Sequence, residues 1–417
     1  MEQNALYYKI PYVKEFDTEV LTCRSVDDPE IRKSVFGQDG AEWPLYAVYL
    51  RDHGFYPEGG GQASDTGSLQ GITEELSCRV CSVQEVKAEA DTIVHYTDAA
   101  LPEGLRVHAV IDWEKRMRNS RNHSGEHIVS GLVHRHYGYH NVGFHMSDVM
   151  TIDFDGSLSM EQLLAIEKEA NDVVLANHPV KVFFPEPSEL ESIDYRSKKA
   201  LSGTVRLVDL GGADLCACCG THVMTTGEIG PIKILSVMGH KGGVRVEMFC
   251  GTDALADYQR KHQQLLELSH LLSASPEEIL SAVKNVMNIS AAKDQRIAEL
   301  NDRYFMSLVE QYRCCDQVLI LYENDLNTVE LRKCCDRLMK HTAAPVVLML
   351  ARKPGSDAEY NYVAGSLSED LRALSKEFNA RVHGRGGGQK EMIQGSLRAD
   401  PEEVRLAAEQ LFGPVYE

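Results

Sequence analysis

The residues of this chain best suited to bind a metal lie in two short segments. His123 and His127, in NHSGEHIVSG, are four residues apart, and Cys218 and His222, in CACCGTH, have the same separation. Four residues is about one helical turn, so a helix would present both imidazoles of the first segment on one face. Two nitrogens from a helix, with one sulfur and one nitrogen from a loop, form a plausible tetrahedral zinc site. The sequence therefore predicts one zinc ion per chain.

Other interpretations of the same letters remain open. Glu126 directly precedes His127, and H-x-x-E-H is the signature of inverted zinc peptidases, in which the glutamate activates water. Such peptidases need a downstream acidic ligand, whereas the second segment here offers cysteine and histidine. Cys216 or Cys219 could replace Cys218 as the sulfur ligand, because C-x-x-C is also an ordinary zinc spacing. A zinc with four protein ligands can also be purely structural.

Two kinds of element must position these segments. From Asp112 the pattern is helical, with apolar residues Ile128, Leu132 and Val133 at helical spacing. A second helix is predicted at 159–177, followed by strand-like runs such as VKVFF, TVRLVDL and GGVRVEMF. Residues 111–251 are therefore predicted to form an α+β zinc-containing core.

The flanking regions have patterns of their own. Residues 1–110 alternate short apolar runs with turn signals, which predicts an antiparallel, barrel-like β-domain in which Cys78 and Cys81 are packing residues. Residues 252–313 are almost continuously helical and form a long linker, with a new helix predicted to start at Ser275-Pro276. Residues 314–417 mix strands such as VVLML with helices and predict a compact α/β domain. The fold class is α+β.

Composition restricts the functional class. The chain has 417 residues, 43% of them hydrophobic, and it lacks the long apolar run that a transmembrane helix requires. Its eleven cysteines include adjacent pairs, which suit free thiols in a reducing compartment, and we expect a cytoplasmic protein. A net charge of −19 argues against indiscriminate nucleic-acid binding, so any RNA must meet a local basic patch. The basic residues near the metal segments are Lys115, Arg116, Arg118, Arg121, Lys198, Lys199, Lys241 and Arg245.

Four segments in one order resemble a known family. FYPEGGGQASDTG (55–67), RNHSGEHIV (121–129), CCGTHVMTTGEIG (218–230) and GGVRVEMFCG (242–251) are similar to the editing domain of alanyl-tRNA synthetases and to free-standing alanyl-tRNA editing proteins. The helical segment and HGRGGGQ resemble the glycine-rich domain that follows the editing domain in those synthetases. Cys219 and Glu126 depart from the residues that the family often has there. With no aminoacylation domain evident, we do not expect the chain to charge tRNA.

The resemblance implies a site and a reaction. It implies zinc on the four residues above, with Gln62 and Thr66 near the amino-acid pocket. It also implies that residues Gly386, Gly387 and Gly388 form a loop in a module that grips tRNA. Separately, among the basic residues near the metal segments, the candidate tRNA contacts are Arg118, Arg121, Lys241 and Arg245. The implied activity is trans-editing, the deacylation of tRNA for alanine that carries serine or glycine. A homodimer through the helical linker is a further expectation, and a zinc peptidase or a non-catalytic tRNA-binding relative are the alternatives.

Overall fold

The computed structural model describes residues 5–37, 42–72, 80–89, 92–197, 205–353, 355–356 and 359–416. The chain divides into two compact units, Met1–Leu266 and Glu267–Glu417. Cys78, Lys198 and Lys199 lie outside the described residues. No helix among the described residues combines the length and the apolar character that crossing a bilayer requires.

The first unit begins with a closed barrel, which confirms the predicted barrel-like domain. All of its strand pairs are antiparallel, and the order around the barrel is β1-β2-β5-β4-β3-β6. Its elements are α1 (Leu6–Lys9), β1 (Glu15–Ser25), α2 (Pro29–Phe36), β2 (Tyr46–Leu50), β3 (Gly67–Gly71), β4 (Val80–Glu89), β5 (Thr92–Thr97) and β6 (Arg106–Ile111). Alternate residues point inward along the strands, as in Val107, Ala109 and Ile111 of β6, and fill the interior. Cys81 is fully buried there as a packing residue.

Two helices follow the barrel. Helix α3 (Trp113–Tyr137) begins after Asp112, whose side chain accepts from the Lys115 amide, and ends at Gly138 in the left-handed conformation. Helix α4 (Met160–Ala176) begins after Ser159, which forms a capping box with Gln162. The residues predicted to line one side of α4 are all buried: Leu163, Ile166, Ala170 and Val174.

Two small antiparallel sheets complete the first unit. One has the order β12-β13-β8-β7 and the other β11-β10-β9. Their elements are β7 (Asn141–His145), β8 (Met150–Phe154), β9 (Val180–Phe183), α5 (Pro187–Leu190), β10 (Leu207–Leu210), β11 (Leu215–Ala217), a 3-10 turn (Thr226–Ile229), β12 (Ile232–His240) and β13 (Gly243–Cys250). Residues from α3, α4 and both sheets share one apolar core.

Long helices occupy most of the segment predicted as a helical linker. They are α6 (Thr252–Leu272) and α7 (Ile279–Gln311). Helix α7 begins at Ile279 rather than at Pro276, so the predicted start was wrong by one turn. The Ser275 hydroxyl and the Glu278 carboxylate do bond at 2.9 Å, but they close a separate turn before the helix.

The second unit ends in an α/β domain with a five-stranded sheet in the order β14-β15-β16-β18-β17. Its elements are β14 (Leu319–Tyr322), α8 (Thr328–His341), β15 (Val347–Arg352), β16 (Glu359–Gly365), α9 (Leu371–Arg381), β17 (Arg385–Gly388), β18 (Met392–Arg398) and α10 (Pro401–Phe412). Alternate residues of β15 pack on opposite faces: Val347 and Met349 pack with α7 and α8, and Leu348 and Leu350 pack with α9 and α10.

The glycine-rich stretch differs from its prediction. Gly386, Gly387 and Gly388 were expected to form a loop, but they lie in strand β17, paired antiparallel with β18. The physical reason is close approach of neighbouring backbone. A Cβ at Gly386 would lie 2.4 Å from the carbonyl oxygen of Gln394, and one at Gly388 would lie 2.3 Å from that of Met392. Glycine here permits tight strand packing rather than a turn.

Candidate metal centre

Helix α3 carries both predicted histidines in its buried middle. His123 and His127 are each 2% exposed, and their ring centroids are 5.1 Å apart. The helix is also buried on its polar faces, since Ser120 and Ser124 are covered as well. One helical turn therefore places two imidazoles side by side in the interior, as the four-residue spacing predicts.

The second pair lies on the segment that follows β11. That strand ends at Ala217, and the chain then passes directly across the imidazole of His123. A Cβ at Gly220 would lie only 2.0 Å from Cε1 of His123. Only glycine allows the segment to come this close, and the close approach brings Cys218 and His222 to the histidines of α3.

The four side chains have the geometry of a tetrahedral metal site. The donor atoms of His123, His127, Cys218 and His222 all lie within 4.8 Å of one another. The Cys218 sulfur is 3.4 Å from Nε2 of His123 and 3.4 Å from Nε2 of His222. Zinc bond lengths of about 2.3 Å to sulfur and about 2.0 Å to nitrogen require a sulfur–nitrogen separation of about 3.5 Å in a tetrahedron. The donor set therefore fits zinc in chemistry and in size.

Each imidazole is held through its other nitrogen. Nδ1 of His127 lies 2.8 Å from an Asp214 carboxylate oxygen, and Nδ1 of His123 lies 2.9 Å from Oε1 of Gln62. Nδ1 of His222 lies 3.1 Å from the hydroxyl of Ser124. Such outer hydrogen bonds fix the tautomer and ring orientation of metal-binding histidines. They leave all three Nε2 atoms available to one central point.

The charges of the cluster suit a cation. Burial opposes ionisation of Cys218, but the surrounding imidazoles outweigh it and hold the pKa of this thiol well below its usual value. Burial lowers the pKa of His222 to about 3. Burial also opposes a charge on His127, yet Cys218 and Asp214 hold the pKa of His127 well above its usual value. A bound metal would displace the His127 proton, as metals generally do on binding.

The structure separates Cys218 from the alternative sulfur ligands. Cys216 is buried and groups with His127 and Asp214. Burial raises the pKa of the Cys216 thiol to about 11, and the Asp214 carboxylate beside it is bound by Arg196 at 2.6 Å. Cys219 is exposed and is absent from the donor groups found among the described residues. The geometry therefore favours Cys218.

Glu126 lies beside the centre, with Oε2 of its carboxylate 4.0 Å from Nε2 of His127, while Oε1 is bound by residues outside the donor set. Its carboxylate is fully buried and accepts hydrogen bonds from the Ser130 hydroxyl at 2.7 Å and from the side-chain amide of Asn141. The positions that complete the His123 and His127 pair are a cysteine and a histidine rather than an acid. This arrangement favours the H-x-x-x-H interpretation.

Gln62 reaches the metal centre and Thr66 does not. Gln62 is 1% exposed, and beyond its bond to His123 it accepts from the Thr221 amide at 3.0 Å and donates to the Thr221 hydroxyl at 2.8 Å. A two-residue turn with positive φ at Gly60 and Gly61 precedes it. Thr66 donates instead to Asp112, the cap of α3, eleven residues before His123. That separation is about 16 Å along the helix.

Most of the candidate tRNA-binding cations have partners within the first unit. The partnered side chains are Arg118 with Asp253, Arg121 with the carbonyl of Glu228 and Arg245 with Asp153. Lys241 is exposed at the turn between β12 and β13. Arg116 is only 1% exposed, because it forms a buried ion pair with Asp65 and so cannot face a phosphate.

Three residues at the centre are not predicted by any pattern in the sequence. Asp214, Ser124 and Thr221 all contact the ligands or Gln62, yet none of them belongs to a spacing pattern. The available signal was weak: Ser124 lies inside the H-x-x-x-H motif, and Thr221 directly precedes His222. Asp214 directly precedes β11 and carries no sequence signal that distinguishes it from the other acidic residues of the chain.

Comparisons with protein families match both units. Residues 205–247 match the family described as "Threonyl and Alanyl tRNA synthetase second additional domain", and residues 316–412 match the DHHA1 domain. The first match contains Cys218 and His222, and the second contains the glycines of β17. The segment that contains Cys218 and His222, and the C-terminal domain, are thus each similar to a region of a known family.

Curated relatives match nearly the whole chain. The alanine–tRNA ligase of Pyrococcus furiosus is 30% identical over 99% of this chain and 44% of its own length. The ligase of Pyrococcus abyssi is 29% identical over 98% of this chain and 43% of its own length, so the chain spans less than half of each ligase. The alanyl-tRNA editing protein AlaX-L of Pyrococcus horikoshii is 25% identical over 96% of both chains. The chain is therefore similar along nearly its whole length to an alanyl-tRNA editing protein, as its sequence motifs indicated.

Proposed function

We propose that this chain is a zinc-dependent aminoacyl-tRNA deacylase that removes serine, and glycine as a second substrate, from tRNA for alanine. The observation that carries the proposal is the convergence of four donor atoms within 4.8 Å, each imidazole held by an outer hydrogen bond. The similarity to an editing protein along 96% of both chains supports the substrate class. We expect this reaction in the cytoplasm.

The chemistry explains why such an activity is needed. A pocket built for alanine cannot strongly reject serine, which adds only a hydroxyl, or glycine, which lacks only a methyl group. A second site can instead pair a polar group with the serine hydroxyl, and that group stays unpaired when alanine enters. Correctly charged alanyl-tRNA is thereby spared.

The four ligands would hold zinc, and the residues around them would orient it. When bound, zinc supplies Lewis acidity toward the ester carbonyl or toward water. Gln62 and Asp214 keep the imidazoles of His123 and His127 in the metal-binding tautomer. Burial of the histidines limits the access of bulk water. With four protein donors, a metal held there would act on the ester after a change in its ligand set, or would serve to position the substrate.

tRNA binding is assigned to both units. On the first unit, Lys241 offers an exposed cation. Arg118, Arg121 and Arg245 could contact a phosphate only if each guanidinium also kept, or gave up, its present partner in the protein. On the second unit, Gly386–Gly388 form an edge strand whose backbone could approach RNA closely.

We further propose that the chain forms a homodimer through its long helices.

The direct test is hydrolysis of mischarged tRNA. Seryl-tRNA and alanyl-tRNA for alanine are incubated side by side with the chain, and we expect release of serine with alanine spared. His123→Ala should lower the rate on the order of a hundredfold, about 2.7 kcal/mol in the barrier, and should lose zinc by elemental analysis. His136→Ala is the matched control, because His136 is on the same helix but bonds to Glu169 on the surface.

The same assay separates the alternatives. A zinc peptidase of the H-x-x-E-H type would lose all turnover in Glu126→Gln while keeping its zinc. An editing enzyme should retain most of its seryl-tRNA activity in that variant. A chain that binds tRNA without releasing serine would instead be a non-catalytic relative, and the proposal would be wrong.

A further inference from the structure

Two tyrosines near the N-terminus contact the C-x-x-x-H segment (Cys218–His222) and the residues that follow it. The hydroxyl of Tyr8, on α1, donates a 2.6 Å hydrogen bond to the carbonyl oxygen of Cys219. The hydroxyl of Tyr12 accepts a 3.1 Å bond from the amide of Met224 and donates to Glu228. Tyr8 and Cys219 are 211 positions apart in sequence, and Tyr12 and Met224 are 212 apart. These contacts exist only because the barrel packs beside the C-x-x-x-H segment.

Arg206, which directly precedes β10, contacts the same segment from the other side. The guanidinium of Arg206 lies 4.7 Å from the ring centroid of Tyr8. Its Nη1 donates to the carbonyl of Cys218 at 2.7 Å and to that of Gly220 at 3.1 Å. Tyr8 and Arg206 therefore bind the carbonyls of three consecutive residues, including the metal ligand Cys218.

The planar peptide transmits this contact to the centre. In a trans peptide the carbonyl of one residue and the amide of the next point in opposite directions. Holding the Cys219 carbonyl outward therefore turns the Gly220 amide inward, where it lies 3.3 Å from the Cys218 sulfur. Holding the Gly220 carbonyl outward likewise turns the Thr221 amide inward, where it donates to Oε1 of Gln62 at 3.0 Å.

We infer that Tyr8 and Arg206 are positioning residues of the metal centre, which aim two amide hydrogens at the Cys218 sulfur and at Gln62. An N–H···S bond reduces the charge that the thiolate gives to a metal, and Gln62 in turn orients His123. Neither residue contacts the reacting atoms directly. The inference rests on the proposed zinc centre, but it makes its own claim about affinity and electronic structure.

The test compares Tyr8→Phe and Arg206→Lys with wild type. Tyr8→Phe removes one oxygen, and Arg206→Lys keeps the charge but loses the forked donors. We expect zinc to bind about tenfold more weakly, measured by competition with a chromophoric chelator, as outer-shell losses typically do. We also expect the sulfur-to-metal band of the cobalt-substituted chain to shift. In the metal-free chain, amide hydrogen exchange across 218–224 should accelerate.

A matched control is Tyr49→Phe, because Tyr49 donates to Glu89 at 3.0 Å on the barrel. It should match wild type in all three measurements. The inference is overturned if zinc affinity, the cobalt band and amide exchange are all unchanged in both test variants. This holds whether or not the variants lose thermal stability. If wild-type chain binds zinc but leaves seryl-tRNA intact, the deacylase proposal fails while the positioning role stands.

Discussion

At the scale of single residues, the proposed metal centre is built from outer hydrogen bonds as much as from its four donor side chains. Gln62 was expected near an amino-acid pocket, and the structure bonds it to both ligand-bearing segments, through His123 and Thr221. A single amide side chain therefore links the barrel to α3 and to the C-x-x-x-H segment. Because an amide both donates and accepts, no apolar residue can replace it there.

Gln62→Ala should therefore weaken zinc binding as well as turnover. Outer-shell losses cost about 10- to 100-fold in metal affinity, and we expect the Kd for zinc to rise by about that factor. Thr66→Val is the comparison variant, because Thr66 bonds to Asp112 at the start of α3. Its zinc Kd should stay at the wild-type value. Equal zinc affinity in the two variants would contradict the placement of Gln62 beside His123.

At the scale of elements, glycines serve two different purposes in this chain. Gly60 and Gly61 adopt positive φ in a tight turn, which few other residues tolerate. The glycines of β17 lie in a strand, where lack of a side chain permits close backbone packing. Similar clusters in the sequence thus correspond to unrelated structural needs.

Gly386→Ala and Gly387→Ala should differ sharply in stability. A Cβ at Gly386 would meet the Gln394 carbonyl at 2.4 Å, whereas a Cβ at Gly387 would have nothing within 4 Å. We expect the first variant to lose about 1 to 3 kcal/mol in the free energy of unfolding. The second should stay within about 0.5 kcal/mol of wild type. Denaturant unfolding of the C-terminal unit measures both, and equal losses would count against the β17 pairing.

At the scale of the whole molecule, the long helix α7 leaves apolar side chains uncovered. Phe305, Leu308 and Val309 near its end pack into the core of the second unit. Earlier on the same face, Leu280 and Met287 are 68% and 65% exposed. Apolar residues seven apart are typical of helices that pair with another helix. This pattern supports the proposed homodimer.

The dimer can be tested by adding one charge to that face. Met287→Lys places a cation in the pairing surface and should convert a dimer into a monomer, because a desolvated unpaired charge is costly. Ala292→Lys adds the same charge on the opposite face of α7 and should leave the dimer intact. Light scattering should give twice the 46.5 kDa chain mass for wild type and for the control. A monomeric wild-type chain would contradict the proposed homodimer.

The sequence by itself determined features that depend on neighbouring residues. The span of α4 and its buried face follow from apolar spacing and from a serine cap, both of which act within one or two turns. The paired histidines of α3 follow from helical geometry in the same way. The start of α7 was misplaced by one turn because the Ser275 motif closed a separate turn.

Only the tertiary structure decided which distant groups meet. Cys218, rather than Cys216 or Cys219, groups with all three histidines because β11 ends at Ala217 and the chain then crosses His123. Asp214, Gln62 and Tyr8 reach the centre through contacts spanning 87, 61 and 211 residues. Such contacts depend on how the barrel, the sheets and α3 pack together, and no local pattern encodes that arrangement.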